Sequence, residues 1–290
     1  MNKKINKLLL TCAVIISGSI YDTDAQEKFQ HERLITIWET KKDLKTPESL
    51  VYDDENDLLF VSNVNMNPWE KDGNGFITKM NLKGDILEAN WIKGLSGPKG
   101  MGVHKGKLYV SDIDEIVEID IKKGEVLNKY KVEGAKKLND VTVDKSGTVY
   151  VSDMGDATIY SLKKGKLDIF VKSAELQNIN GVFAQGNTLI AGLANRVVSI
   201  DVTTKSIKTL VDNTGGVDGV VATGKGTYII SDWQGHVNEI KEGQKPLLLL
   251  DTTPIQTNAA DIEFVKEKGI LLVPTFFKDG VVAYQVSFPK

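Results

Sequence analysis

The sequence predicts an all-β fold, a six-bladed β-propeller with four strands per blade, closed by a strand from the N-terminal end. Three observations predict it. Six short segments share one pattern: a polar or small residue, usually a small residue next, then alternating apolar positions. They open at Glu48, Lys99, Asn139, Asn180, Asp218 and Ala260. The steps between these residues are 51, 40, 41, 38 and 42, the period of a four-stranded propeller blade. The last repeat ends after three strands, and a spare β-rich segment at 34–38 is placed to complete it and so remove the open sheet edges.

Within each repeat the elements follow in one order. First strands at 48–52, 99–103, 139–143, 180–184, 218–222 and 260–264 alternate with period two, as a half-buried strand requires. Turn signals follow, among them Asp-Lys-Ser-Gly at 144–147 and Gly-Lys-Gly at 224–226. Second strands are expected at 58–63, 108–112, 149–153, 189–192, 228–232 and 270–274. Third strands are expected at 76–82, 116–121, 158–162, 197–202, 236–240 and 281–286. Fourth strands follow in the first five repeats, as at 126–132 and 205–211. An open β-solenoid would have no use for the segment at 34–38.

Residues 1–25 read as an export signal. Lys3, Lys4 and Lys7 precede an apolar run at 8–20 that is short for a membrane span, and Ala25 places cleavage before Gln26. The expectation is a single propeller domain over 26–290 in the periplasm or outside the cell, with no membrane attachment after cleavage. Leu9-Leu10-Thr11-Cys12 resembles a lipoprotein box, but few apolar residues precede it and Thr11 suits it poorly. Cys12 is the only cysteine, so the mature chain has neither disulfide nor thiol nucleophile. Removing three lysines and two aspartates takes the net charge from −3 to −4, and no basic stripe offers a nucleic acid a surface.

In a propeller the opening residue of each first strand faces the top of the central channel. Four of the six offer oxygen: Glu48, Asn139, Asn180 and Asp218. Each residue type is common at a strand start or turn. Four at equivalent places in one repeat make a donor set. Two carboxylates neutralise a divalent ion and amide carbonyls add ligands, which suits Ca²⁺; Mg²⁺, Mn²⁺ and oxygen-bound Zn²⁺ accept the same donors. With no sulfur and no hub histidine, a tetrahedral zinc site is less natural. Without a cation, Glu48 and Asp218 would repel each other across a narrow channel.

At these residues the sequence resembles the gluconolactonase/senescence-marker-protein (regucalcin) family, and more distantly diisopropyl fluorophosphatase and the paraoxonases. The likeness spans the mature chain and rests on the order and spacing of short motifs. It implies a six-bladed propeller whose catalytic divalent metal is held by Glu48, by Asn139 in Leu-Asn-Asp, by Asn180 in Asn-Gly-Val and by Asp218 in Asp-Gly-Val. It also implies a metal-dependent hydrolase of small lactones or related esters, with Asp218 taking a proton from water or attacking directly. Lys137 stands where gluconolactonases carry an arginine, so a substrate oxygen would meet an ammonium without the bidentate fork. The paraoxonase histidine dyad has no counterpart, since His31, His104 and His236 all fall outside hub positions.

The rim completes the expectation. The second-to-third-strand connection of the first blade, 63–75, is long, and Trp69 and Met66 are expected to roof the pocket. Trp233 and the pair Phe276 and Phe277 occupy equivalent loops of other blades. Lys99, Lys137, Trp69 and Trp233 are therefore the expected substrate contacts. Tyr109, Tyr150 and Tyr228 lie within strands and are expected between blades. The pairs Ser111-Asp112, Ser152-Asp153 and Ser231-Asp232 sit at strand ends, where such side chains bond turn backbone rather than substrate. The competing reading is a propeller that binds a ligand or protein without catalysis, its metal purely structural.

Overall fold

In the computed structural model, which describes residues 27–40 and 43–288, this patterning resolves into six antiparallel sheets. The first blade runs Pro47–Asp53, Leu58–Asn63, Gly75–Asn81 and Ile86–Leu95 from the inside outward. The next three repeat this order with their own four strands. Inner strands touch in cyclic sequence and the sixth touches the first, so the ring is closed. The closing strand is the expected one. Leu34–Glu39 pairs with Val281–Val286, with Leu34 opposite Val286 and Glu39 opposite Val282.

Burial follows distance from the axis. The inner strand of the second blade, Pro98–His104, is almost wholly buried, whereas its outer strand, Glu125–Lys131, is almost wholly exposed. The core lies between blades: Phe60 and Ile77 of the first meet Leu108, Val110 and Val117 of the second. Tyr109, Tyr150 and Tyr228 join such clusters, as their strand positions imply.

The serine–aspartate pairs are structural. Ser111 and Ser231 donate to the backbone oxygens of Asn139 and Ala260, each on the following blade. Asp112 accepts from the amides of Ser96 and Gly97, and Asp153 from those of Lys136 and Lys137. These bonds tie the ends of the second strands of the second, third and fifth blades to neighbouring backbone.

Two features differ from the expectation. Phe29–Gln30 adds a fifth strand to the fifth blade, pairing with Leu247–Asp251; two residues are too few to show a period. In the last three blades the regular inner strand begins at Val182, Val220 and Glu263, beyond Asn180, Asp218 and Ala260. Those residues still bond the second strand: the amide of Asn180 donates to Gly192 at 3.0 Å, that of Asp218 to Ser231 at 2.8 Å and that of Ala260 to Pro274 at 3.1 Å. The first three blades break register at the same place, between Pro47 and Leu50, Pro98 and Met101, and Leu138 and Val141. Every blade thus carries an irregularity at its hub residues, the device that re-aims a side chain out of a ladder.

The export signal and Cys12 lie outside the described residues. Among the described residues, no helix is long and apolar enough to cross a membrane.

Candidate functional site

Six irregularities facing one axis bring together side chains that lie far apart in sequence. Glu48, Lys99, Asn139, Asn180 and Asp218 line one cavity of about 260 Å³, with Pro68, Trp69, Met154, Trp233 and Phe276. All four expected metal ligands are there, as are Lys99, Trp69 and Trp233. Lys137 is not. It stands exposed on the rim, with its ammonium 5.2 Å from the centre of the Trp69 ring.

The polar groups of the cavity are incompletely satisfied. Asn180 donates through Nδ2 to Asp218 Oδ1 at 2.6 Å, and Asn139 Nδ2 lies 3.4 Å from Met154 Sδ. Glu48 Oε2 and Asp218 Oδ2 are buried and meet no hydrogen-bond donor among the described residues. A buried polar atom left so costs about 1–3 kcal/mol, more when charged. Burial pushes the Asp218 carboxyl up to about 7, with Asn180 opposing and the charge of Asp232 adding. Glu48 is raised well above the usual range by burial and then by the charges of Asp218 and Asp140, against the pull of Lys99. A cation among these oxygens would remove both penalties, so the donors fit a divalent ion. They are carboxylates and amides. No group of three or more His, Cys, Asp and Glu side chains suited to a metal occurs among the described residues.

Lys99 has a definite task. Its ammonium donates to the backbone oxygens of Pro68 at 2.6 Å and Gly97 at 2.8 Å, and sits 3.9 Å from the centre of the Trp69 ring. Burial lowers it to about 8, with Glu48 and Asp112 holding it up. It therefore clasps the long first-blade loop over the second blade, and Lys71 adds an ion pair to Asp114 at 2.6 Å. Gly97 permits the approach, since a Cβ there would lie 2.6 Å from the Pro68 oxygen.

Trp69 lines the cavity, but Met66 is 76 % exposed and does not roof it. The loop leaves its strand through positive φ at Asn65 and Met66, and the roof is the Pro68-Trp69 corner instead. On the opposite side Trp233 meets Phe276 edge-to-face at 4.5 Å. Phe276 reaches the cavity, whereas Phe277 is 65 % exposed.

Sequence reasoning missed a second tier. One residue after the hub positions come Ser49, Gly100, Asp140, Gly181, Gly219 and Asp261. Asp140 accepts from the amides of Val182 and Val141, each at 2.6 Å, and Asp261 accepts from Ser49 Oγ at 2.7 Å. Burial pushes Asp140 up to about 7 and Asp261 well above its usual range. The glycines are required by close approach: a Cβ on Gly219 would lie 2.5 Å from the Ile262 amide. The readable signal was the small second residue of the repeat, which Asp140 and Asp261 alone break. Beneath this tier a cavity of about 180 Å³ contains Asp140, Asp261 and Glu263, the last raised by burial to about 7.

The histidines stand elsewhere. His236 Nδ1 lies 2.7 Å from Asp232 Oδ2, His31 Nδ1 accepts from the Arg33 amide at 3.2 Å, and none of the three lines the hub cavity.

No protein-family model matches the chain, and no curated protein matches it in sequence. Solved structures do match. By fold, the chain is a neighbour of streptogramin B lyases. It is similar to a streptogramin B lyase at 13 % identity and TM-score 0.63, covering 90 % of this chain and 98 % of that one. It is also similar to a catalytically inactive virginiamycin B lyase variant from Staphylococcus aureus with quinupristin, at 13 % identity and TM-score 0.62, covering 90 % and 100 %. At that identity the likeness establishes the fold alone.

Proposed function

We propose that this propeller is a divalent-metal-dependent hydrolase of lactones or related esters, with Ca²⁺ the favoured ion at the hub. One observation carries the reading: Glu48 Oε2 and Asp218 Oδ2 are buried without donors in a cavity that also holds Asn139 and Asn180. These four residues would hold the ion, with Mg²⁺, Mn²⁺ or Zn²⁺ as alternatives on the same oxygens. The chemistry such an ion supplies is to polarise a carbonyl and stabilise the negative charge growing on its oxygen.

The remaining work falls to the chain. Asp218 accepts the proton of the attacking water, a task suited to a carboxylate with one oxygen free of hydrogen bonds. Asn180 fixes the carboxylate's orientation through its 2.6 Å bond. Trp69, Trp233 and Phe276 wall the cavity and limit water. Lys137 stands at the rim beside Trp69, where its ammonium can meet a polar end of the substrate. Export to the periplasm or the outside would give the enzyme ready access to Ca²⁺.

The lyase comparison supports the fold rather than the reaction. The matched inactive variant is a histidine-to-alanine change, and no histidine lines this hub. That same absence favours a second reading, a ligand-binding propeller with a structural ion. The deciding experiment is hydrolysis of a panel of lactones and aryl esters by the mature protein, with EDTA and after Ca²⁺ is restored. Turnover lost with EDTA and regained with Ca²⁺ is the expected result. No turnover by folded, ion-loaded protein would establish the second reading instead.

A further inference from the structure

A second cavity adjoins the hub and has no part in the mechanism above. It measures about 340 Å³ and shares Met154, Asn180, Asp218 and Trp233 with the hub cavity. From there it runs outward past Leu193 and Ala194 of the fourth blade and Gly215, Gly216 and Val217 of the fifth. The hub cavity alone, at about 260 Å³, falls below the ~300–1,000 Å³ of small-molecule sites; the side compartment brings the site into that range.

We infer that this compartment is a specificity subsite for an uncharged, mainly apolar arm of the substrate. The inference rests on the hydrolase reading for the reacting group, but not for the arm. Three features define the occupant. The compartment is continuous with the Asp218 carboxylate, so an arm inside it belongs to a molecule whose reacting group lies at the hub. Met154, Leu193, Ala194, Val217 and Trp233 give it apolar walls. Among the described residues no lysine or arginine lines it, while the carboxylates of Asp218 and Asp232 do, so a negatively charged arm is rejected. Lys99 of the hub and Lys137 of the rim lie on the opposite side with Trp69. The substrate therefore lies with its polar end toward the second and third blades and its apolar arm toward the fourth and fifth.

Gly216 provides the handle. It is exposed at the mouth, and a Cβ there would meet only the Ala194 oxygen, at an ordinary 3.7 Å. Gly216→Leu therefore fills the compartment without touching the hub, and Ala194→Phe, also exposed, fills it from the other wall.

The test uses two series of increasing chain length: 4-nitrophenyl esters from acetate to decanoate, read as kcat/KM with Ca²⁺, and 2-alkanones, which cannot be hydrolysed, read as Kd by calorimetry. In the natural protein each added methylene should improve both readouts about two- to fourfold until the compartment is full. A carboxylate at the chain end should cancel the gain. Both filling variants should lose the dependence while keeping acetate hydrolysis and Tm. Length-dependent alkanone binding without ester turnover would sink the hydrolase reading and leave the subsite standing. Acetate turnover with no length dependence in either series, or a dependence that survives both fillings, would overturn the subsite.

Discussion

Two tiers of carboxylates occupy successive positions of the repeat, Glu48 and Asp218 on the first and fifth blades and Asp140 and Asp261 on the third and sixth, and their surroundings differ sharply. In the upper tier Glu48 and Asp218 each keep a buried oxygen without a donor. In the lower tier Asp140 accepts the amide of Val141 on its own strand and that of Val182 across to the fourth blade, and Asp261 accepts a serine hydroxyl from the sixth blade's neighbour, the first. The same side-chain type is thus a stitch in one tier and an unsatisfied donor set in the other. Burial and charge alone do not mark a functional carboxylate; what marks it is an oxygen the protein leaves unbonded.

The sharpest way to break this contrast is Asp218→Asn. It removes the proposed base and one charge from the ion's ligands while keeping the shape. Turnover should fall on the order of 10²–10⁴-fold, the usual worth of a positioned proton acceptor. Folding in EDTA should be no worse, because a buried unpartnered charge has become neutral. Hydrolysis at the natural rate in the purified variant would refute both the assigned role and the division between tiers.

Asp140→Ala tests the lower tier. It orphans the amides of Val182 and Val141, at about 1–3 kcal/mol for each buried donor left unpaired. Denaturant unfolding should show that loss, while added Ca²⁺ should still raise Tm. If stability is unchanged, or the Ca²⁺ response vanishes while the fold holds, Asp140 is a ligand rather than a stitch.

How much of this was legible in the sequence follows from what repeats. The blades and the four hub oxygens recur at steps of about 40 residues, and the closing strand is the one the last repeat lacks; periodicity is what a single sequence displays. Asp140 and Asp261 were illegible because they occur at two of six equivalent places, and the partners that give them a task, the Val182 amide and the Ser49 hydroxyl, lie on other blades. Its hub position makes Lys99 an expected substrate contact; its clasp on Pro68 depends on how a long loop folds back, which spacing does not encode. Met66 and Trp69 are three residues apart in one loop, and only backbone dihedrals decided which faces the cavity.

The smallest expected effect is a pH dependence, and it separates the tiers most finely. Asp218 and Asp140 are pushed from 3.8 up to about 7, and Glu48 and Asp261 are raised as well. Between those values the folded state binds more protons than the unfolded, so its stability is full below about pH 4 and declines as pH rises toward 7. The carboxylates lowered by partners, such as Asp114 and Asp144, titrate below this window and do not cancel the trend. In EDTA, Tm should therefore fall by a few degrees from pH 5 to 8. Saturating Ca²⁺ should flatten the part due to Glu48 and Asp218, because the ion takes the place of protons there, and leave the part due to Asp140 and Asp261. A Tm that rises across this window in EDTA would mean the hub carboxylates are already charged and compensated, leaving no room in the upper tier for a cation.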